Sequence, residues 1–592
     1  MEKKGCGGNI LQKISHFWRR LCSIVGGLVL ILGILLLGIG LYNSGRVYVP
    51  QNSALVIDFS ANIQELPQEN LLDELEGKPQ INLQRFIQAI EMAAHDPHIT
   101  ALVARLDTSG LEIAQIQDVA RAVKHFNANN KKTFVFSQGF GPLGQGNREY
   151  YLASFFDKIY MQPHTTIGLT GIGVEIPFMR SVLQKIGITP EFYARHEYKT
   201  AMQTWTDGQI SPAAQKEMTR LTGALWNELK ADIMHNRHLT NAQITAAVNQ
   251  APLNAEQGLA QKLIDDIIYL PQLEQQLKND GIQAFVQIED YMQGIKVNEG
   301  THLPTIAILT LSGIIERGES ADGNLDGEAS IGSKSVAQDI AQIADLPNLK
   351  AVIVRIDSPG GDYNAADEIY FALQHLKQKC KIPVIVSQSG YAASGGYFIS
   401  LAGNYILAEP TTITGSIGVL GGKFVLKDLW QKLGINWANI QTAPNADIMS
   451  MNRPWSANER KIFNASLDEV YKDFTQKVME NRPLTEDIDK IARGRVWTGR
   501  EAVKLGLVDA LGGFDEALEA ARQKGKIADN QKFKIVNFPQ PKSLSEKISD
   551  LLFNDIVAMP RLFKQSGVDI RYLKLFKRLQ YDTVLAPFEL KM

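Results

Sequence analysis

Cysteine is nearly missing from this chain of 592 residues: only Cys6, Cys22 and Cys380 occur. Two of them lie in or before an apolar segment near the N-terminus, so no internal disulfide framework is available. There is no CxxC pair and no HExxH motif, so no metal site and no cofactor is expected. A lone histidine such as His196 reads as a surface or core residue. Basic charge is not in excess either. With 61 Lys+Arg against 63 Asp+Glu and a formal net charge of −2, nucleic acid is not the expected partner.

Charge is absent from one long stretch. Leu21 to Tyr42 carries none and is dense in Leu, Ile, Val and Gly, long enough to cross a hydrocarbon core as a helix. Lys3, Lys4, Lys13, Arg19 and Arg20 precede it, so the positive-inside rule places residues 1–20 in the cytoplasm and the rest of the chain outside. The run exceeds a usual signal-peptide core and no small-x-small site follows it directly. A retained single anchor over 21–42 is expected.

The remainder is ordinary in composition, 45% hydrophobic and 21% charged, and too long for one core. It repeats itself. YYLASFFDKIYMQPHTTIGLTGIGV, from Tyr150, aligns with YFISLAGNYILAEPTTITGSIGV, from Tyr397, at an offset of 247 (397 less 150). The same offset pairs Pro163 with Pro410, Gly168 with Gly415, Gly171 with Gly418 and Gly187-Ile188 with Gly434-Ile435. Glu256–Ile267 resembles Arg500–Leu511 further on. A match this long predicts a duplicated domain: one copy over 46–300, a second over 301–540, then a tail over 541–592.

Each copy alternates strand and helix signals. In the second, Thr305–Ile315, Ala351–Asp357, Pro383–Gln388 and Tyr405–Ala408 read as strands. Asn364–Cys380 reads as a helix with Ile369, Leu373 and Leu376 on one face. This pattern predicts an α/β layered domain with mostly parallel strands. Two loops then stand where such sheets bind ligands, at strand carboxyl ends. One is Asp357-Ser358-Pro359-Gly360-Gly361-Asp362. The other brings Ser394, with Gly395 and Gly396, to a strand-to-helix turn before an apolar segment, Tyr397–Ala402, that reads as a helix. A serine in that position has an exposed hydroxyl and free backbone N–H groups beside it; the same letters also suit a helix N-cap next to packing glycines.

SPGG after a strand, AASGGY at the next turn and TGSIGV beyond it resemble, in that order, the signal peptide peptidase A (protease IV) family in its long, duplicated form. The resemblance covers nearly the whole chain. It implies tandem Clp protease/crotonase-like domains built of ββα units, after one transmembrane helix, and a serine–lysine dyad. ARHEYKTAM places Lys199 in the setting of the family's general base. At the offset of 247, Lys199 faces Ala446, Ser394 faces Asn147 and Ser416 faces Leu169, and DTSG (Asp107–Gly110) stands where the second copy has SPGG. Each copy therefore lacks what the other supplies, and one composite site per chain is expected. Ser394 would be the nucleophile, Lys199 the base and Ser416 the residue orienting it. The oxyanion hole would use N–H groups of Gly395 and of Gly361 or Gly360, with Gly361 preferred. The family further implies cleaved signal peptides and other short apolar peptides as substrates, a homotetramer, and a bacterial inner-membrane protein with periplasmic catalytic domains.

A crotonase-type acyl-thioester enzyme would use the glycine amides but leave Lys199 and Ser394 idle. An inactive membrane scaffold would leave the whole set idle. Arg317–Ser335, rich in Gly, Ser, Asp and Glu, reads as a mobile loop. The tail segment Asp569–Leu579 reads as a helix packed on the second copy or a neighbouring subunit, or as a membrane-surface segment.

Overall fold

A computed structural model describes residues 48–67, 80–141, 144–294, 300, 302–321 and 329–540, and the backbone of 583–585. The anchor expected over 21–42 and the tail segment Asp569–Leu579 lie outside them. No helix among the described residues is long and apolar enough to cross a membrane.

The first copy contributes strands Ser53–Asp58 (β1), Ile99–Arg105 (β2), Lys132–Ser137 (β3), Lys158–Met161 (β4), Thr189–Ala194 (β5), Asp266–Ile267 (β6) and Ala284–Gln287 (β7). All except β5 form one parallel sheet, in the order β6-β4-β3-β2-β1-β7. The second copy contributes Thr305–Ser312 (β8), Ile314–Glu316 (β9), Ser330–Gly332 (β10), Leu349–Ser358 (β11), Gly360–Asp362 (β12), Val384–Ala393 (β13), Tyr405–Ala408 (β14), Ile413–Gly415 (β15), Leu420–Val425 (β16), Val496–Thr498 (β17), Ala510–Leu511 (β18) and Lys534–Phe538 (β19). Its central sheet runs β18-β14-β13-β11-β8-β19, again parallel. The two sheets match strand for strand.

Alternation explains why both sheets read as unbroken apolar runs. Ala307, Leu309, Val352 and Val354 enter one core, whereas Ile306, Ile308, Ala351 and Ile353 enter another on the opposite face. The first copy divides Leu55, Leu102 and Val135 from Ala54, Ala101 and Phe134 in the same way. Parallel sheets covered on both faces need apolar residues at every position. The helix Tyr363–Cys380 covers one face with Ile369, Leu373 and Leu376, and Asp362 caps it by accepting the N–H of Ala365 at 2.9 Å.

A third sheet belongs to neither copy alone. Its order is β10-β9-β12, then the segment Thr583–Leu585 (β20), then β16 and β5. Strand β5 of the first copy pairs antiparallel with β16 of the second, from Thr189 opposite Val425 to Ala194 opposite Leu420. Phe192 and Phe424 meet edge to face across it at 5.0 Å. Two of the sequence readings change here. Thr305–Ile315 breaks at Gly313 into β8 and β9, and part of the segment expected to be a mobile loop forms β10, paired parallel with β9.

The copies are also locked by buried charge. Arg355, on β11 and fully buried, donates to Glu65 (2.7 Å) and Asp118 (2.7 Å) of the first copy and to Ser387 (2.9 Å) and Ser389 (3.0 Å) of its own.

Candidate active site

The strand β13 runs past the Gln388 where the sequence reading ends it, to Ala393. Asp357 Oδ1 accepts the N–H of Tyr391 at 2.9 Å, and residues 391–393 pair with β15. Burial pushes the Asp357 carboxyl up to about 7. The strand therefore delivers Ser394 rigidly to the turn. There the backbone takes φ 57° and ψ −113°, and Ser394 N–H donates to Gly415 O at 2.8 Å. A non-glycine residue in that region stores about 1–3 kcal/mol of strain, which surrounding contacts must offset. The helix that follows is Gly395–Ser400, starting two residues earlier than the apolar run suggests. The turn, rather than residue preference, fixes its start.

Lys199 arrives from the other copy. After β5, Arg195 N–H donates to Val419 O at 2.8 Å, and four residues later the lysine side chain enters the second copy. It is 3% exposed. Its Nζ lies 2.6 Å from Ser394 Oγ and donates to Ser416 O and Ser416 Oγ, both at 3.0 Å. Burial holds the amine well below the ordinary 10.5. All three side chains expected in the site thus converge, across separations of 195 and 217 residues.

The SPGG loop lies alongside. Gly360 N–H donates to Ser358 Oγ at 3.2 Å. Gly361 is packed so tightly on the Ile315 backbone that a Cβ would fall inside its carbonyl and 2.6 Å from its nitrogen. A Cβ on Gly395 would stand 3.3 Å from Gly361 N, so the Gly395 and Gly361 backbones are neighbours. In the first copy, Asn147 stands where the second has Ser394. Its side-chain amide donates to Gly171 O (2.9 Å) and accepts from Gly171 N (3.0 Å), which makes it a loop staple.

Beside Lys199 opens a cavity of about 170 Å³, walled by Phe192, Met202 and Leu420 with Glu197 and Asp207 among its polar lining. Sequence reading missed β5, because Pro190 speaks against a strand interior. It also missed Asp357 as the anchor of Tyr391.

The family model of the Clp proteases matches residues 328–412, from two residues before β10 to the loop before β15. Matches to peptidase family S49 and to curated serine proteases make the molecule a serine protease. More narrowly, the family model described as peptidase family S49 matches residues 142–282 and 376–528, one segment in each copy, and the chain belongs to that family. It is similar to Protease 4 of Salmonella typhi, 30% identical over 529 residues, 83% of this chain and 82% of that protein. It is similar also to the chloroplastic serine protease SPPA of Arabidopsis thaliana, 29% identical over 527 residues, 86% of this chain and 76% of that protein. A putative signal peptide peptidase SppA of Enterococcus faecium is 30% identical over 234 residues, 39% of this chain and 67% of that protein.

Proposed function

We propose that Ser394 and Lys199 form a catalytic dyad that hydrolyses peptide bonds, with Ser416 orienting the lysine. The carrying observation is the 2.6 Å approach of Lys199 Nζ to Ser394 Oγ inside a site whose burial favours the neutral amine. A neutral amine has two N–H groups and one lone pair. Ser416 takes both N–H groups, which leaves the lone pair for the Ser394 hydroxyl. The amine accepts the hydroxyl proton as Oγ bonds the substrate carbonyl carbon, and the negative oxygen forms. The ammonium returns that proton to the leaving nitrogen as the C–N bond breaks. Water, deprotonated by the same amine, then attacks the acyl ester, and the ammonium returns that proton to Oγ as the C–Oγ bond breaks, which frees Ser394.

Gly395 and Gly361 are the proposed oxyanion donors, and the commitment of Gly360 N–H to Ser358 supports Gly361 over its neighbour. Gly361→Ala keeps the backbone N–H, but its Cβ would collide with Ile315 O and push the donor out of place, so kcat is expected to fall by about 10²-fold or more, the scale of one lost oxyanion donor. Single-turnover acylation measures it; a rate within a factor of three of wild type would remove Gly361 from the hole.

A substrate would lie extended. Between β12 and β16 runs a slot one strand wide, taken by the chain's own Thr583–Leu585, antiparallel to Gly360–Asp362 with Thr583 opposite Leu420. Strand addition of this kind reads a peptide through its main chain and uses side-chain pockets for choice. The cavity beside Lys199, with Phe192, Met202 and Leu420 on one part of its wall and Glu197 and Asp207 on another, is proposed to take one side chain of the substrate. Cleaved signal peptides suit such a groove. The name of the Enterococcus relative and the uncharged run 21–42 support that substrate and an inner-membrane anchor, with the catalytic copies on the periplasmic side and a homotetrameric assembly as in the family resemblance. The test is hydrolysis of an apolar signal-peptide fragment by detergent-solubilised protein, with a serine-directed phosphonate as second probe. Cleavage together with labelling of Ser394 alone is expected; labelling of a different serine would overturn the assignment.

A further inference from the structure

The second-copy segment ARGRV, Ala492–Val496, contributes no atom to the proposed dyad, yet it holds the dyad's lysine from several sides. Gly494, at φ 84°, lies against the lysine backbone: a Cβ on it would stand 2.6 Å from Lys199 Cα and 2.7 Å from its Cβ. The Gly494 N–H donates to Ile417 O at 2.8 Å, and Arg495 O accepts the N–H of Ser416 at 2.6 Å. The Arg495 guanidinium carbon stands 3.7 Å from the ring centre of Tyr198, the residue before the lysine. Glu217, a buried residue on the first-copy helix Pro212–Arg237, holds that guanidinium at 3.3 Å and accepts Val496 N–H at 3.1 Å. Arg493 reaches Glu197 at 2.9 Å, and its N–H donates to Tyr471 OH at 3.3 Å.

We infer that the turn Arg493–Val496 is a positioning clamp for proton transfer, with Arg495 the residue that sets the direction and dryness of the Lys199 amine. The inference rests on Lys199 being the base. Arg495 acts through Tyr198 on one side and the Ser416 backbone on the other. A lysine side chain left free carries about 2 kcal/mol of rotamer entropy. A base displaced by about 1 Å loses on the order of 10²-fold in rate. Fixing the backbone at residues 197 to 199 and the serine that receives both N–H groups removes that freedom.

The titratable and charged groups packed around the lysine are His196, Glu197 and Tyr198 on its own segment, and Arg493 and Arg495 on the turn. Glu217 and Tyr471 come from the two long helices, Tyr471 on Ala457–Asn481, and Asp207 lines the cavity beside the lysine. The two arginines are each matched by a glutamate, so burial rather than a net field governs the amine.

The test compares wild type, Arg495→Met, Arg495→Lys and Lys199→Ala. Each is followed by the pH dependence of Ser394 labelling with a serine-directed phosphonate and by kcat and KM on an apolar peptide. Arg495→Met is expected to lower kcat by about 10- to 100-fold with KM within about twofold. It should also move the acid limb of labelling upward by about one pH unit, because a better-solvated amine holds its proton longer. Arg495→Lys keeps the charge toward Glu217 but loses the planar stack, and should fall between the two. An Arg495→Met protein with wild-type thermal midpoint, rate and acid limb overturns the clamp and leaves the dyad standing. Should that variant not fold, an unmoved limb in Arg495→Lys overturns it instead. A rise in KM at constant kcat also overturns it, in favour of a substrate contact. Wild-type labelling of Lys199→Ala would overturn the dyad itself.

Discussion

Lys199→Met is expected to lose about 10²- to 10⁴-fold in peptide hydrolysis, the scale of a removed general base, while the folded protein becomes more stable at neutral pH. Ser394→Ala should lose comparable activity without that gain. The wild-type amine is desolvated and sits well below 10.5 in the folded chain. Unfolding returns it to water, where it takes up a proton. Between the depressed folded value and 10.5 the unfolded state therefore binds one proton more, so wild-type stability rises with pH across that window. Below the folded value the cost of burial is fully present. Methionine has similar length and no charge to desolvate. Its advantage should be large near pH 7 and fade as pH approaches 10.5. Urea midpoints of the two proteins at pH 7 and pH 10 measure this. Equal differences at both pH values would mean that the folded amine keeps its ordinary affinity for protons.

Arg355→Met has the largest expected effect on stability. It strips a charged partner from two buried carboxylates at once, Glu65 and Asp118, of which Asp118 keeps Arg121 at 2.9 Å, and breaking a buried pair on one side costs about 3–5 kcal/mol. Burial pulls the Asp118 carboxyl up, but the Arg355 and Arg121 charges overcome it and hold it below 3.8. Its stabilising share is present above 3.8 and is lost as pH falls through the depressed value. Glu65 and Asp118 belong to the first copy and Arg355 to the second, so the single variant should also separate the copies and take Lys199 away from Ser394. The triple variant Arg355→Met, Glu65→Gln, Asp118→Asn leaves no orphaned charge and should recover most of the loss. Thermal midpoint and peptidase activity should fall together in the single variant and return together in the triple. A single variant with an unchanged midpoint would show that water reaches those carboxylates.

The parts of the site that were legible in the sequence are those written in short local patterns. Paired glycines after a strand, a serine between small residues, and two segments related by 247 positions can be read without knowing what touches them. The mutual deficits of Asn147 and Ser394, and of Lys199 and Ala446, follow from the same alignment. What stayed hidden consists largely of contacts between the copies. Strand β5 has its partner more than two hundred residues away, and Pro190 masks it. Arg355 looks like a charge at the end of an apolar strand until Glu65 and Asp118 are placed over it. Gly494 reads as a plain turn residue because its reason, the Lys199 backbone, lies on the other copy. The overshoot of β13 depended on Asp357, one carboxylate acting across a strand gap.

The cross-copy strand pair β5–β16 has a consequence for timing. A ribosome makes the amine first and the hydroxyl last, and neither is dangerous by itself. During synthesis the cell holds a lysine with nothing to activate, then a serine with nothing to activate it. With the proposed dyad as the catalyst, hydrolytic power appears only when Thr189–Ala194 docks on Leu420–Val425 and carries Lys199 across. On that proposal, completion of the fold is the switch.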